Sequence, residues 1–220
     1  MRIVLLGAPG AGKGTQCKRI IDKYDLLHLS SGDILRSERA AGTELGKKAQ
    51  SYMDSGALVP DEVIVEMMAG AISRAPAGGF VLDGFPRTVN QASELGKSLA
   101  RTGQKIDAVL NLKVRDETAT GRITGRRSCP QCGAIYHIEN LKPKTEGICD
   151  NDGATLVQRP DDSLEVMVNR LKTYHQQTEA VVDYYKNNSS TPVFYDIDAD
   201  KDAEAVSVLL FEKLDALDGA

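Results

Sequence analysis

The chain has no tryptophan, only three histidines and four cysteines among its 220 residues, and aromatic residues make up 5% of it. No apolar run approaches the roughly 20 residues that span a bilayer, so no membrane partner is expected. Charge of one sign is also missing: 27 Lys+Arg stand against 31 Asp+Glu, for a net charge of -4. That balance does not steer the molecule towards nucleic acid or an anionic membrane, and no basic, aromatic-rich face is present to stack bases. A zinc ribbon gripping DNA or RNA is disfavoured accordingly. Met1 to Leu6 runs straight into a glycine loop without the basic start and cleavage site of a secretory leader, so the cytoplasm is the expected compartment. The chain is 41% hydrophobic, enough at this length for one core with insertions.

Five short β-type runs stand out: Ile3 to Leu6, Leu27 to Leu29, Phe80 to Leu82, Ala108 to Val114 and Val193 to Ile197. Most are continuously apolar and are separated by amphipathic helical stretches. The pattern predicts strands buried on both faces of a parallel sheet, hence a doubly wound α/β fold. Thr88 with Gln91, and Asp162 with Glu165, have the spacing of capping boxes and predict helix starts there. A helix is expected to begin near Asp61. Two stretches break the pattern. Residues 30–59 are polar and glycine-punctuated, with two short helical segments; residues 126–162 are rich in Gly, Pro, Cys and Asn, with one β-like patch at Ala134 to Ile138. Both read as insertions, and no internal repeat is apparent.

Directly after the first strand comes Gly7-Ala8-Pro9-Gly10-Ala11-Gly12-Lys13-Gly14-Thr15. This is a phosphate-binding loop opening onto a helix. Its glycines let backbone N–H groups turn inward around phosphate oxygens, the helix N-terminus adds partial positive charge, and Lys13 brings a full cation to the β and γ phosphates. Gly10, Ala11, Gly12, Lys13, Gly14 and Thr15 are the expected triphosphate contacts. Gly14 stands where Ser or Thr commonly follows the lysine, and the hydroxyl comes one residue later. Asp83 ends the third strand at the carboxyl edge of the sheet, where open α/β sheets bind ligands, and is expected to help hold Mg²⁺, in part through its waters.

The phosphate loop, Leu29-Ser30-Ser31-Gly32-Asp33-Ile34-Leu35-Arg36, Asp83-Gly84-Phe85-Pro86-Arg87 and Gly125-Arg126-Arg127 occur in that order, with Arg159 ahead of Asp161-Asp162 and Arg170 on the next helix. Together they resemble bacterial adenylate kinases with a long lid, over essentially the whole chain. The resemblance implies a P-loop NTPase-type, doubly wound parallel five-stranded sheet flanked by helices. Its core would comprise residues 1–29, 60–124 and 163–220, with a small helical AMP-binding insertion at 30–59 and a β-rich lid at 125–162. It implies reversible phosphoryl transfer from MgATP to AMP, giving two ADP and maintaining adenine nucleotide balance, by a monomer. Residue by residue, Ser31 and Arg36 would lie on the phosphate and ribose side of AMP, and Ala57, Leu58 and Val59 along its base. Gly84, Phe85, Pro86, Arg87 and Gln91 would complete that pocket. Arg122 and Arg126 would serve the base and phosphates of ATP, Ile135 and Tyr136 would lie against the nucleotide, and Lys201 would sit in the loop facing adenine. Arg159 and Arg170 would clamp phosphates from the lid side, AMP's included. Many family members carry Thr where Ser31 stands; the hydroxyl survives.

The arginines answer a physical need. A phosphate acceptor oxygen is already anionic and requires no strong base, whereas two polyanions brought together require positioned cations. Lys13, Asp83, Arg87, Arg122, Arg126, Arg159 and Arg170 are the expected catalytic set, and Arg74 and Arg101 are expected to be ordinary surface residues. A nucleotide-dependent switch would lack the second anion pocket. A kinase for another nucleoside monophosphate remains an alternative, since base choice depends on few contacts.

Cys129-Pro130-Gln131-Cys132 and Cys149-Asp150-Asn151-Asp152 are separated by sixteen residues and form two paired-ligand arms suited to tetrahedral Zn²⁺. Cys129, Cys132, Cys149 and Asp152 would close a structural site, and a variety of the family carries this set with zinc. His137 and Asp150 are rival fourth ligands. Cys17 is expected to be a small helix residue, and His28 and His175 structural.

Overall fold

In chain order, β1 (Arg2–Gly7) leads to α1 (Lys13–Tyr24), and β2 (Leu27–Ser30) to α2 (Ser31–Ala40) and α3 (Glu44–Ser55). Next come α4 (Asp61–Ser73), β3 (Phe80–Asp83), α5 (Val89–Arg101), β4 (Ala108–Lys113) and α6 (Asp116–Thr124). A ribbon of β5 (Arg126–Ser128) and β6 (Ile135–His137) opens the cysteine-bearing insertion, which closes with a 3₁₀ turn at Pro160–Asp162. Then follow α7 (Leu164–Thr173), a π-helical turn at Tyr174–Thr178, α8 (Glu179–Asn187), β7 (Val193–Asp198) and α9 (Ala203–Asp218). This architecture is that of a computed structural model, which describes residues 1–75, 78–187 and 192–218. Among the described residues no helix is long and apolar enough to cross a membrane.

The strands β2-β3-β1-β4-β7, in that spatial order, form one parallel sheet. All five expected strands are present. Continuous apolar runs still obey the two-residue alternation of a strand. Val4, Leu6, Phe80, Leu82 and Val109 pack on one face with residues of α4, α5 and α8, whereas Ile3, Leu5, Val81, Leu110 and Leu112 pack on the other against α1 and α9. Burial of each such side chain stabilises by about 1.5–3 kcal/mol. The edge strand β7 is mostly half-buried or exposed, which explains its mixed sequence.

Side-chain oxygens start several helices. Ser30 accepts from Asp33 N at 3.2 Å, Thr43 from Gly46 N at 3.1 Å, and Thr88 from Gln91 N at 3.1 Å. The expected cap at Asp162 lies one residue further on: Ser163 Oγ accepts from Val166 N at 3.3 Å and starts α7. The carboxylate of Asp162 is instead fully buried against Arg126.

On the second face α9 clasps α1. Arg19 Nη1 donates to Glu204 Oε2 and Ser207 Oγ, each at 2.7 Å, Gln16 Nε2 donates to Ala203 O at 2.8 Å, and Lys23 and Tyr24 both donate to Asp215. At the π-helical turn His175 faces Asp116 at 2.9 Å and Glu179 at 3.2 Å, joining α6 to α8, a structural role as expected.

Candidate active site

Parallel pairing places Asp83 beside Leu5 of β1 and Ser30 of β2. The strand ends thereby bring the phosphate loop, Asp83 and the start of α2 to one edge of the sheet. The loop is held close to its neighbours: a Cβ at Gly10 would lie 2.3 Å from Ala119 O, and the backbone there takes φ 84. Only glycine fits such an approach. Gly12 caps α1, Ala11 is buried, Gly14 is exposed and Thr15 half-buried.

Lys13 folds back over the loop, with Nζ donating to Gly7 O at 2.8 Å and Ala8 O at 2.9 Å. Desolvation pulls its pKa down to about 8; Asp83 opposes that fall, and Arg87, Arg170 and Arg126 add to it. These five charged groups therefore share one electrostatic neighbourhood. Asp83 is 9% exposed, and a Cβ on Gly14 would stand 3.6 Å from its Oδ2, so the residue after the lysine faces that carboxylate without a side chain between them.

On the other side of Asp83 a cavity is lined by Ser31, Arg36, Ala57, Leu58, Val59, Gly84, Arg87, Gln91, Asp161 and Arg170, among others. Gly84 O organises one wall, accepting from Ser31 Oγ at 2.7 Å and from Arg87 Nε at 2.8 Å. Burial lowers the pKa of Arg87. Arg36 is paired with Asp33 of its own helix. Phe85 belongs to the core beneath the cavity, 2% exposed, and is followed by cis Pro86. Gln91 has both ends of its amide engaged: Oε1 accepts from Arg87 N at 2.7 Å, and Nε2 donates to Asp61 Oδ1 at 2.8 Å. Asp61 also accepts from Thr88 and Asn90. Sequence reasoning missed Asp61; only its place at the first turn of α4 marked it.

Arg126 and Arg170 reach the site through two aspartates whose role the sequence also left unread. Arg170 Nη1 donates to Asp161 Oδ2 at 3.1 Å and lies 3.8 Å from Asp162 Oδ1. Desolvation brings the pKa of Arg170 to about 10, and that of Arg159 to about 10, the latter also pushed down by Arg36 and Arg126. Arg159 thus lies among the cations of both sides. Arg122 stands apart from this group: Nη1 donates to Ala199 O at 2.9 Å and Nη2 to Lys201 O at 2.6 Å, so it fastens the loop after β7. Lys201 itself points to Asp198, at 3.3 Å.

In the cysteine-bearing insertion, β5 pairs with β6 antiparallel, Arg127 opposite Tyr136. Tyr136 is 7% exposed, and its hydroxyl accepts from Asp150 N at 2.8 Å and lies 3.6 Å from Cys149 Sγ. Its ring is committed to this small core, while Ile135 is half-buried.

Cys129, Cys132, Cys149 and Asp152 have ligand atoms within 4.8 Å of one another. Cys129 Sγ lies 3.2 Å from Asp152 Oδ2, and Cys132 Sγ 3.5 Å from Cys149 Sγ. Both arms turn alike: Cys129 N donates to Ala134 O and Cys149 N to Ala154 O, each at 2.8 Å, with Gly133 and Gly153 both at positive φ. Cys-Pro-Gln-Cys-Gly-Ala and Cys-Asp-Asn-Asp-Gly-Ala are one motif used twice, which corrects the expectation of no repeat. The rival ligands are occupied elsewhere. His137 Nδ1 accepts from the N–H groups of Glu139 and Asn140, and Asp150 Oδ1 accepts from Lys144 N. Ala154 N–H, foremost, draws the pKa of Asp152 down to about 2, so its oxygen is an ionised donor. Three sulfurs and a carboxylate at this spacing are compatible with a zinc site.

A parallel sheet with a phosphate loop at its carboxyl edge, facing a second cation-lined cavity, defines a P-loop phosphotransferase that handles two phosphorylated substrates. A family model described as adenylate kinase matches residues 5–190. The chain is 51% identical over 188 residues to an adenylate kinase of Caldicellulosiruptor saccharolyticus, covering 85% of this chain and 87% of that one. It is 47% identical over 207 residues to one of Archaeoglobus fulgidus, covering 94% of each, and 50% identical over 190 residues to one of Clostridium tetani, covering 86% and 88%. The chain belongs to the adenylate kinase family, and its reaction is that of a nucleoside monophosphate kinase transferring phosphoryl groups between ATP and AMP.

Proposed function

We propose that the phosphate loop holds ATP, the cavity between α2–α3 and the exit of β3 holds AMP, and the terminal phosphoryl group crosses between them beside Asp83. The observation that carries this reading is the convergence of Lys13, Arg87, Arg126 and Arg170 at the boundary of the two sites. Gly10, Ala11, Gly12, Gly14 and Thr15 cradle the ATP phosphates with Lys13, while Arg122 fixes the loop of Lys201 that faces the adenine. Ile135 and Tyr136 of the insertion lie against ATP, the Tyr136 ring also supporting the insertion from within. Ser31, Arg36, Gly84, Phe85, Pro86 and Gln91 shape the AMP side with Ala57, Leu58 and Val59.

The charge on the transferring group is met by Lys13, Arg87, Arg126, Arg159 and Arg170, and an arginine of this kind contributes on the order of 10³ to 10⁵ in rate. Mg²⁺ bound with ATP would neutralise charge on the phosphates, and Asp83 would hold it through its waters. No general base is required of this chain. Residues 30–59 and 125–162 act as covers on a core of 1–29, 60–124 and 163–220, excluding water that would otherwise accept the phosphoryl group. Zn²⁺ held by Cys129, Cys132, Cys149 and Asp152 is structural, because four protein ligands leave no position for chemistry. Function in the cytoplasm as a monomer is part of the same reading.

The test is turnover with AMP, GMP, CMP and UMP under identical MgATP. ADP formation with AMP far ahead of the other three is expected; equal rates with all four would overturn the AMP assignment.

A further inference from the structure

We propose that Cys17, His28 and Asp83 form a second metal site, which takes a zinc-class divalent cation (Zn²⁺ or Co²⁺) on the floor of the nucleotide cleft and withdraws Asp83 from Mg²⁺. The effect on Mg²⁺ rests on the role of Asp83 given above; the site itself does not.

The three groups come from different elements, a thiol from α1, an imidazole from β2 and a carboxylate from β3, and their ligand atoms lie within 4.8 Å of one another. Zinc bonds of about 2.0–2.3 Å in a tetrahedron set neighbouring ligands about 3.3–3.8 Å apart. His28 Nε2 and Asp83 Oδ2 already stand at 3.5 Å, within that range. His28 Nε2 is buried without a hydrogen-bond partner. A buried polar atom left unsatisfied is costly, and a cation between it and Asp83 would satisfy both. The His28 side chain is 27% exposed although Nε2 itself is buried, so the site lies just beneath the surface.

Donor chemistry selects the ion. Mg²⁺ takes oxygen ligands and rejects sulfur, whereas Zn²⁺ and Co²⁺ accept sulfur, nitrogen and oxygen together. Three protein ligands leave one coordination position, and bare Gly14 keeps the approach to Asp83 open towards the phosphate loop. Loading forms one metal–sulfur bond and releases the thiol proton to solvent.

The experiment uses the full chain with its Cys129 cluster filled by Zn²⁺ and titrates it with Co²⁺, reading the thiolate-to-cobalt absorption band. A further equivalent is expected in the unaltered protein, lost in Cys17→Ala and weakened on the order of tenfold or more in His28→Gln. MgATP is expected to suppress the band, and Zn²⁺ to inhibit turnover at fixed free Mg²⁺ with Cys17→Ala on the order of tenfold more resistant. The same cobalt spectrum in Cys17→Ala as in the unaltered chain would sink the site and leave the reading of Asp83 intact. A Cys17-dependent band that MgATP does not displace would uphold the site and overturn the Mg²⁺ role of Asp83 along with the competition.

Discussion

The guanidinium of Arg126 grips the carboxylate of Asp162 at both ends, Nε donating to Oδ2 at 2.8 Å and Nη2 to Oδ1, and Asp162 is wholly buried. The charge of this half-buried arginine is thus balanced by a wholly buried carboxylate. Removing one partner of a buried pair leaves the other charge uncompensated.

Asp162→Ala is therefore expected to lower unfolding free energy by about 3 kcal/mol, measured by urea denaturation, with Asp162→Asn losing less because it keeps volume and one acceptor. An unchanged midpoint in the alanine variant would show that the pair is not buried in solution.

Proton uptake should accompany ATP binding. Lys13 titrates at about 8 in the unliganded protein, below its ordinary 10.5. Phosphate favours the ammonium, so binding raises that pKa. Near pH 8 the side chain is neutral in about half the molecules and binding takes up to about half a proton; near pH 6.5 it takes almost none. Calorimetry in two buffers of different ionisation enthalpy reads this directly, and Lys13→Met should abolish it. A flat pH profile would exclude Lys13 as the titrating group.

With Zn²⁺ in the cysteine cluster as proposed above, its removal is expected to lower the melting temperature while leaving turnover in the cold nearly intact. The core around it is small, comprising Cys129, Tyr136, Cys149 and Leu156 with two alanines against it, so the ligands supply much of its cohesion. Calorimetric melting with and without chelator is the measurement, and superimposable traces would refute a structural role.

Asp61 holds the amide of Gln91 in one orientation. Asp61→Ala is expected to raise KM for AMP roughly tenfold, the equivalent of one charge-assisted hydrogen bond, and to narrow the preference for AMP over GMP. The ratio between the two substrates is decisive, because general destabilisation would not change it.

How much of this was legible in the sequence follows from the range of the forces involved. The central strands announced themselves because both faces are buried, so Ile3, Val4, Leu5 and Leu6 are all apolar. β5 did not: Arg126, Arg127 and Ser128 carry no apolar alternation, and only pairing with Ile135–His137 makes them a strand. The cap at residue 162 was displaced to Ser163 because a buried ion pair outcompeted a local hydrogen bond. Tyr136 carried a motif position but spends its hydroxyl on Asp150 and Cys149. The repeated knuckle was written in the chain, in Gly133-Ala134 and Gly153-Ala154, and obscured by the change of its second ligand from cysteine to aspartate. Asp61 was legible only as a helix start and His28 only as a strand residue, since their partners Gln91 and Asp83 lie 30 and 55 positions away.

The clasp between α1 and α9 has a consequence for biogenesis. The helix that bears the nucleotide loop gets Glu204, Ser207 and Asp215 as partners only when residues beyond 200 have been translated. A nascent chain halted after α8 would display its glycine loop on a helix without that final brace.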